Sequence, residues 1–181
     1  MQKLILILAC FFITSTVIAQ SVYTYSVSTI EGDNKSLNAY QGKKLLVMTL
    51  PIEQNSSNDS LLRSMDSLRA VYGSSLVIIA TPSYEDGYVP ANKTALQQWY
   101  RSILGNDIII TDGIYTRKTS ASQQHPLFKW LTTKDNNGHF DQDVSGPRNK
   151  FIVWTDGELV GVLSAQTKIG GTTMNSLLQG Q

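Results

Sequence analysis

The sequence predicts a single α/β domain in which a mixed central sheet is flanked by helices. Three observations carry that expectation. Short, nearly continuous apolar runs read as strands buried on both faces, helical periodicities lie between them, and a tight turn in the last third joins two strands into a hairpin. Strand and helix in alternation give crossover units with parallel neighbours, and the hairpin adds an antiparallel pair.

Taken in order, residues 22–30 (VYTYSVSTI) alternate apolar and polar and read as a strand, with Glu31-Gly32-Asp33-Asn34 as the turn after it. Leu37 to Tyr40 leads through Gly42 into KKLLVMTL, a strand buried on both faces. Pro51 breaks that run and the polar stretch Glu53-Gln54-Asn55 follows. Ser60 or Asp59 can cap the next helix, whose Leu61, Leu62, Met65, Leu68, Arg69 and Tyr72 recur at three and four, with Gly73 placed to stop it. LVIIATP, residues 76–82, is the second buried strand. Ala95 to Leu104 puts Leu96, Trp99, Ile103 and Leu104 on one helical face, and Asp107 to Thr111 is a third, short strand ended by Asp112-Gly113.

HPLFKWLT then predicts a short helix entered at Pro126, with Leu127, Trp130 and Leu131 facing inward. A polar loop from Thr133 to Arg148 precedes the hairpin, in which Lys150 to Trp154 and Leu159 to Leu163 flank Thr155-Asp156-Gly157-Glu158. A weak final helix runs from Thr172 to Leu178. No repeat, low-complexity tract or linker interrupts this order.

The N-terminus reads differently. MQKLILILACFFITSTVIAQ has one early cation, Lys3, an apolar run from Leu4 to Ile13, and small or β-branched residues ending in Ala19. That is the pattern of a secretory signal peptide, so residues 1–19 are expected to be removed and residues 20–181 to form the domain. The strictly apolar run falls short of the roughly 20 residues that cross a bilayer, so no membrane span is expected after cleavage. Only six apolar residues precede Cys10 and the run continues past it, which argues against acylation at that cysteine. Export to a periplasm or the exterior follows as the expected localisation.

Without that segment the chain has 14 basic and 14 acidic residues, which leaves no electrostatic footprint for nucleic acid or anionic lipid. Cys10 is the one cysteine of the sequence. Its departure removes disulfides, thiolate metal sites and sulfur nucleophiles together. No Gly-rich phosphate loop follows the first core strand, and neither Ser60 nor Ser83 lies in a nucleophile-elbow context. Sequons at Asn34, Asn55, Asn58 and Asn92 matter only in a eukaryotic secretory route.

Three motifs in this order resemble the glutathione peroxidase branch of the thioredoxin-like fold. Gly42-Lys43 running into an apolar strand is similar to that family's opening, His125-Pro126-Leu127-Phe128-Lys129-Trp130-Leu131 to its HPLYKFL segment, and Lys150-Phe151-Ile152-Val153 with Asp156-Gly157 to its KFLVD-x-x-G hairpin. The match spans roughly residues 24–168, and its His-Pro-Leu segment is the most specific part. It implies a thioredoxin-like, glutathione peroxidase-type fold.

The chemistry implied by the resemblance needs a peroxidatic cysteine or selenocysteine at the end of the first core strand, lowered in pKa by helix N-terminal amides. Counting from Gly42-Lys43, that position falls on Gln54. The family's assisting glutamine falls on Glu85, and its tryptophan-asparagine pair on Gly146-Pro147. A carboxamide cannot replace a thiolate as the attacking group. The resemblance therefore implies a pseudoenzyme: an exported domain without the catalytic residues, holding a protein or peptide partner in a groove formed by Glu53, Gln54, Glu85 and Pro147. The competing expectation is a peroxide-reducing or other oxidative-stress enzyme working with an external thiol, or a new reaction using Glu53 and Glu85.

Other polar clusters read as structural. Glu53 would sit near a helix N-terminus, which favours a carboxylate by roughly 0.3 to 1 kcal/mol. Glu85-Asp86 lie in a Gly- and Pro-bearing loop and read as solvated acids. Asp135 to Asp143 departs from the calcium-loop pattern, because Phe140 stands where a glycine belongs, so His139, Asp141 and Asp143 read as a solvated loop. His125 belongs to the helix entry, and Trp99, Trp130 and Trp154 to the core. No cofactor and no metal site is expected.

Overall fold

A computed structural model describes residues 21–180. The signal-peptide reading and Cys10 lie outside the described residues. A five-stranded mixed sheet forms the centre, in the order β5-β4-β3-β6-β7. Its strands are β3 (Lys44–Leu50), β4 (Leu76–Pro82), β5 (Ile109–Ile110), β6 (Lys150–Val153) and β7 (Leu159–Leu163). β3, β4 and β5 run parallel; β6 pairs antiparallel with β3, and β7 antiparallel with β6. A separate two-stranded antiparallel ribbon, β1 (Ser26–Ser28) and β2 (Asn34–Ser36), lies beside it.

The continuous apolar runs are explained by what covers each face. Leu46, Met48 and Leu50 of β3 join Ile78 and Ala80 of β4 in one cluster, under α1 (Ser56–Tyr72), α2 (Lys93–Leu104) and α5 (Thr172–Gln179). Leu45 and Val47 join Val77, Ile79, Phe151 and Val153 on the other face, under α3 (Pro126–Thr132). Alternate residues point to opposite faces of a strand, so a strand covered on both sides reads as a nearly continuous apolar run. Each fully buried Leu, Ile or Phe in these layers contributes roughly 1.5 to 3 kcal/mol.

Several expectations are corrected. Residues 22–30 do not form one strand: Val22–Thr24 is a 3-10 turn capped by Ser21, Ser26–Ser28 pairs as a strand, and Thr29 makes a single bridge to Thr111. Tyr23 turns inward, and its hydroxyl donates to the carbonyls of Lys43 and Thr155 at 3.2 Å each, a tertiary demand that overrides the alternation. The cap of α1 is Asn55 rather than Ser60 or Asp59, since its side-chain oxygen accepts from the Asn58 amide at 2.9 Å. Asp59 instead accepts from the Trp99 indole at 2.7 Å and ties α1 to α2. The third strand shrinks to two residues, and the loop after Thr133 contains one helical turn, α4 (Lys134–Asn137). Among the described residues no helix is long and apolar enough to cross a membrane.

Candidate functional site

β3 and β4 end side by side, with Leu50 opposite Pro82, and both chains then turn out of the sheet. Pro51 stays buried, its carbonyl accepting from the Tyr100 hydroxyl at 2.7 Å, and Ile52 to Asn55 carries the chain to α1. From the other side the segment 145–149 is stitched to β3. Thr49 accepts the Arg148 amide on its carbonyl at 2.7 Å and the Asn149 amide on its hydroxyl at 3.0 Å, and donates that hydroxyl to the Gly146 carbonyl at 2.9 Å.

Between these segments lies a cavity of about 420 Å³, lined by Pro51, Ile52, Glu53, Asn58, Asp86, Pro147 and Arg148. Its shape is fixed by a chain of polar contacts. Asn58 donates its amide to the Glu53 carbonyl at 2.7 Å and accepts from the Arg148 guanidinium at 2.5 Å, while Ser57 accepts from the same guanidinium at 3.1 Å. Arg148 takes a left-handed backbone, φ 71°, rare for a residue with a side chain. The fully buried Lys150 holds it there, donating its ammonium to the Arg148 carbonyl at 2.8 Å and to Ser164 at 3.1 Å. Burial, with the Arg148 charge second, pulls the Lys150 amine down to about 8.

The structure brings some of the expected site residues together and separates others. Glu53 and Pro147 both line the cavity. Gln54 is exposed on the loop just before the Asn55 cap and does not line it. Glu85 does not line it either. Its carboxylate accepts from Ser83 Oγ at 2.5 Å, Ser120 Oγ at 2.6 Å and the amides of Thr116 and Arg117 at 2.9 Å. Burial opposes the charge, but these hydrogen bonds outweigh it, those from Ser120 and Ser83 most, and bring the carboxyl down to about 2.

Glu85 and Asp86 are therefore not the solvated acids that a Gly- and Pro-bearing loop suggested. The Asp86 side chain is 7% exposed, pairs with Arg117, and sits on the cavity wall. Burial pushes its carboxyl up; Arg117 counters and Glu85 reinforces. Arg148, Asn58 and Arg117 were missed by sequence reasoning. The only trace of Arg148 is its place in the polar run just before the Lys150 hairpin, and nothing local distinguishes Asn58 from the other polar residues of α1.

His125 does cap α3, its Nδ1 accepting from the Leu127 amide at 3.2 Å. Asp143 accepts the Lys118 and Val144 amides, at 2.9 and 2.8 Å, and Asp141 pairs with the Lys118 ammonium at 2.5 Å. Among the described residues no group of three His, Cys, Asp or Glu side chains is gathered as a metal would require.

Chemically, the cavity offers carboxylates, a guanidinium, a carboxamide and proline rings. These bind and orient, and none supplies a soft nucleophile.

No family model matches the chain. Among curated proteins it is similar to Glutathione peroxidase 1 of Caenorhabditis elegans, 24% identical over 141 residues that make up 77% of this chain and 84% of that protein. It is similar to a Probable phospholipid hydroperoxide glutathione peroxidase of Solanum lycopersicum, 24% identical over 155 residues, 85% of this chain and 89% of that one. Among solved structures, Trgpx in its apo form superposes with a TM-score of 0.64 at 20% identity, covering 89% of this chain and 95% of that chain. A thiol:disulfide interchange protein of the thioredoxin family from Chlorobium tepidum gives 0.60 at 12%, covering 90% and 96%. The chain thus has a thioredoxin-like fold of the glutathione peroxidase type, and the resemblance read from its motifs is to the proteins it matches.

Proposed function

We propose that this chain is an exported thioredoxin-like domain that does not reduce peroxides and acts instead as a binding module, its partner a protein or peptide held at the cavity beside Glu53 and Pro147. One observation carries the reading. The sequence has no cysteine after Cys10, and the end of β3, where the resemblance puts the attacking sulfur, carries Glu53-Gln54-Asn55. Splitting an oxygen–oxygen bond by the family's route needs a thiolate or selenolate. A cavity walled by proline, isoleucine and fixed polar groups suits recognition of a ligand. Export is supported by the sequence of residues 1–19 and by structural neighbours described as secreted or exposed, including a disulfide oxidoreductase of Mycobacterium tuberculosis and a pneumococcal lipoprotein thioredoxin.

The test is capture from a cell-envelope extract by the immobilised domain, with Glu53→Lys and Pro147→Asp as comparators, since both side chains line the cavity from exposed positions. A protein retained by the unaltered domain and lost from both variants is the expected result. Retention by all three alike, or by none, contradicts the reading. The peroxidase names of the curated relatives favour one second reading, slow peroxide reduction with a thiol supplied by another molecule.

A further inference from the structure

A furrow runs along the outer side of α1, away from the site above. Two cavities, of about 500 Å³ and about 480 Å³, share Ser64 and Ile169 and so join end to end. One wall is α1. The other is the segment 165–170 that joins β7 to α5, continued by α5 itself. On α1 the furrow follows Ser57, Ser60, Ser64 and Ser67 to Val71, positions three and four apart that share one helical face. The furrow meets the cavity of Glu53 and Asp86 only at Arg148, which lines both.

Its charge is one-sided. Arg63, Arg148 and Lys168 line it, and among the described residues no Asp or Glu does. The two acids of α1 turn elsewhere. At 100° per residue Asp66 lies about 160° from Ser64, and Asp59 lies about 140° from it and is bound to the Trp99 indole. Neither Arg63 nor Lys168 is in an ion pair among the described residues. Apolar surface is interleaved with the cations: Leu61, Leu68 and Ile169 line the floor, and Val71, 80% exposed, stands at the far end.

We infer that this furrow is a docking groove for an extended, acidic segment of a partner protein, with carboxylates spaced by apolar side chains. From Ser57 to Val71 the helix rises about 21 Å, the span of about six residues of extended chain. Three cations over that length match two or three carboxylates. Serine side chains leave room for a backbone to lie close and offer it hydroxyl partners. Val71, exposed at the far end of the groove, gives an apolar side chain of the segment a surface to pack against. A nucleic acid is the poorer fit, because its affinity rests on many phosphate contacts and the floor here is interrupted by leucine and isoleucine.

Fluorescence anisotropy tests this on the full chain, using a labelled decapeptide of alternating glutamate and leucine. A lysine–leucine decapeptide and a ten-nucleotide single-stranded DNA are the comparators. The acidic peptide is expected to bind at least about tenfold more tightly than either, and to weaken as salt rises, as an electrostatically guided contact must. Charge reversal at two exposed positions, Arg63→Glu with Lys168→Glu, is expected to weaken binding about tenfold or more, and so is Val71→Asp alone, which leaves the cations in place. Overturning results are no binding of the acidic peptide, equal binding of the basic one, DNA binding as tight as the peptide's, or affinity unmoved by either variant. Capture through the cavity is tested separately, by Glu53→Lys and Pro147→Asp, and neither residue lines the furrow, so failure here and failure of the cavity reading are distinguishable.

Discussion

Glu85 shows how far a residue's position can be read from sequence while its role cannot. Its place after β4 follows from Thr81-Pro82-Ser83, but three of its donors come from Thr116, Arg117 and Ser120, more than 30 residues further on. No local pattern announces that convergence. The carboxylate thereby pins the segment 116–120 to the end of β4. Removing it in Glu85→Ala leaves two main-chain amides and two hydroxyls short of an acceptor, a loss of about 2 to 4 kcal/mol measurable by urea unfolding at neutral pH. The pH dependence has a fixed sign. The folded-state value, about 2, lies below the unfolded carboxyl's, so the stabilisation is fully present above about pH 4.5 and is lost as pH falls towards 2. The gap between the unaltered domain and Glu85→Gln is therefore expected to narrow across that window. A gap that stays constant down to pH 2 contradicts the assignment. Glu53 and Pro147 could be placed at the cavity because each is counted along the chain from a motif; Gln54, counted in the same way, does not line it. Asp86 was misread, because its burial depends on Arg117, a partner from the far side of α2.

Among the elements, β3, β4, α1, α3 and the β6–β7 hairpin were legible because burial and period agree in each. Two-sided burial writes an uninterrupted apolar run, and one-sided burial writes a stripe at three and four. The failures lie where one long-range contact decides. The β1 segment yields to the inward turn of Tyr23, and the start of α1 moves to Asn55 because that side chain, and not Ser60, reaches a free amide. The loop between β3 and α1 depends in turn on Asn58, which joins the Glu53 carbonyl to the Arg148 guanidinium. Asn58→Ala removes both contacts from inside one helix. The expected outcome is a loss of about 1 to 3 kcal/mol, with faster amide exchange confined to residues 52–58 and 146–149. Exchange that rises evenly over the whole sheet contradicts a local brace.

At the scale of the molecule, the order of the five sheet strands and the longer helices, the mixed sheet and the thioredoxin-like architecture were written in the spacing of apolar runs and three short motifs. Structural neighbours at 20% identity and below superpose over nearly nine tenths of the chain. A fold of this kind can carry different sites, since the core is held by two apolar layers while the cavity is lined by the segments that follow β3 and β4 and precede β6. What the sequence withheld is which residues meet at the cavity. Arg148, Asn58 and Asp86 converge from three separate segments, and convergence of single polar residues leaves no periodic trace.

The central claim is that this fold has lost peroxide chemistry with its sulfur. The most direct measurement is hydrogen peroxide consumption by the purified domain spanning residues 20–181, with glutathione or thioredoxin supplied, beside a Gln54→Cys version. The domain itself is expected to match the rate without protein, and any turnover gained is expected in Gln54→Cys alone. Saturable consumption by the unaltered domain above that background contradicts the claim.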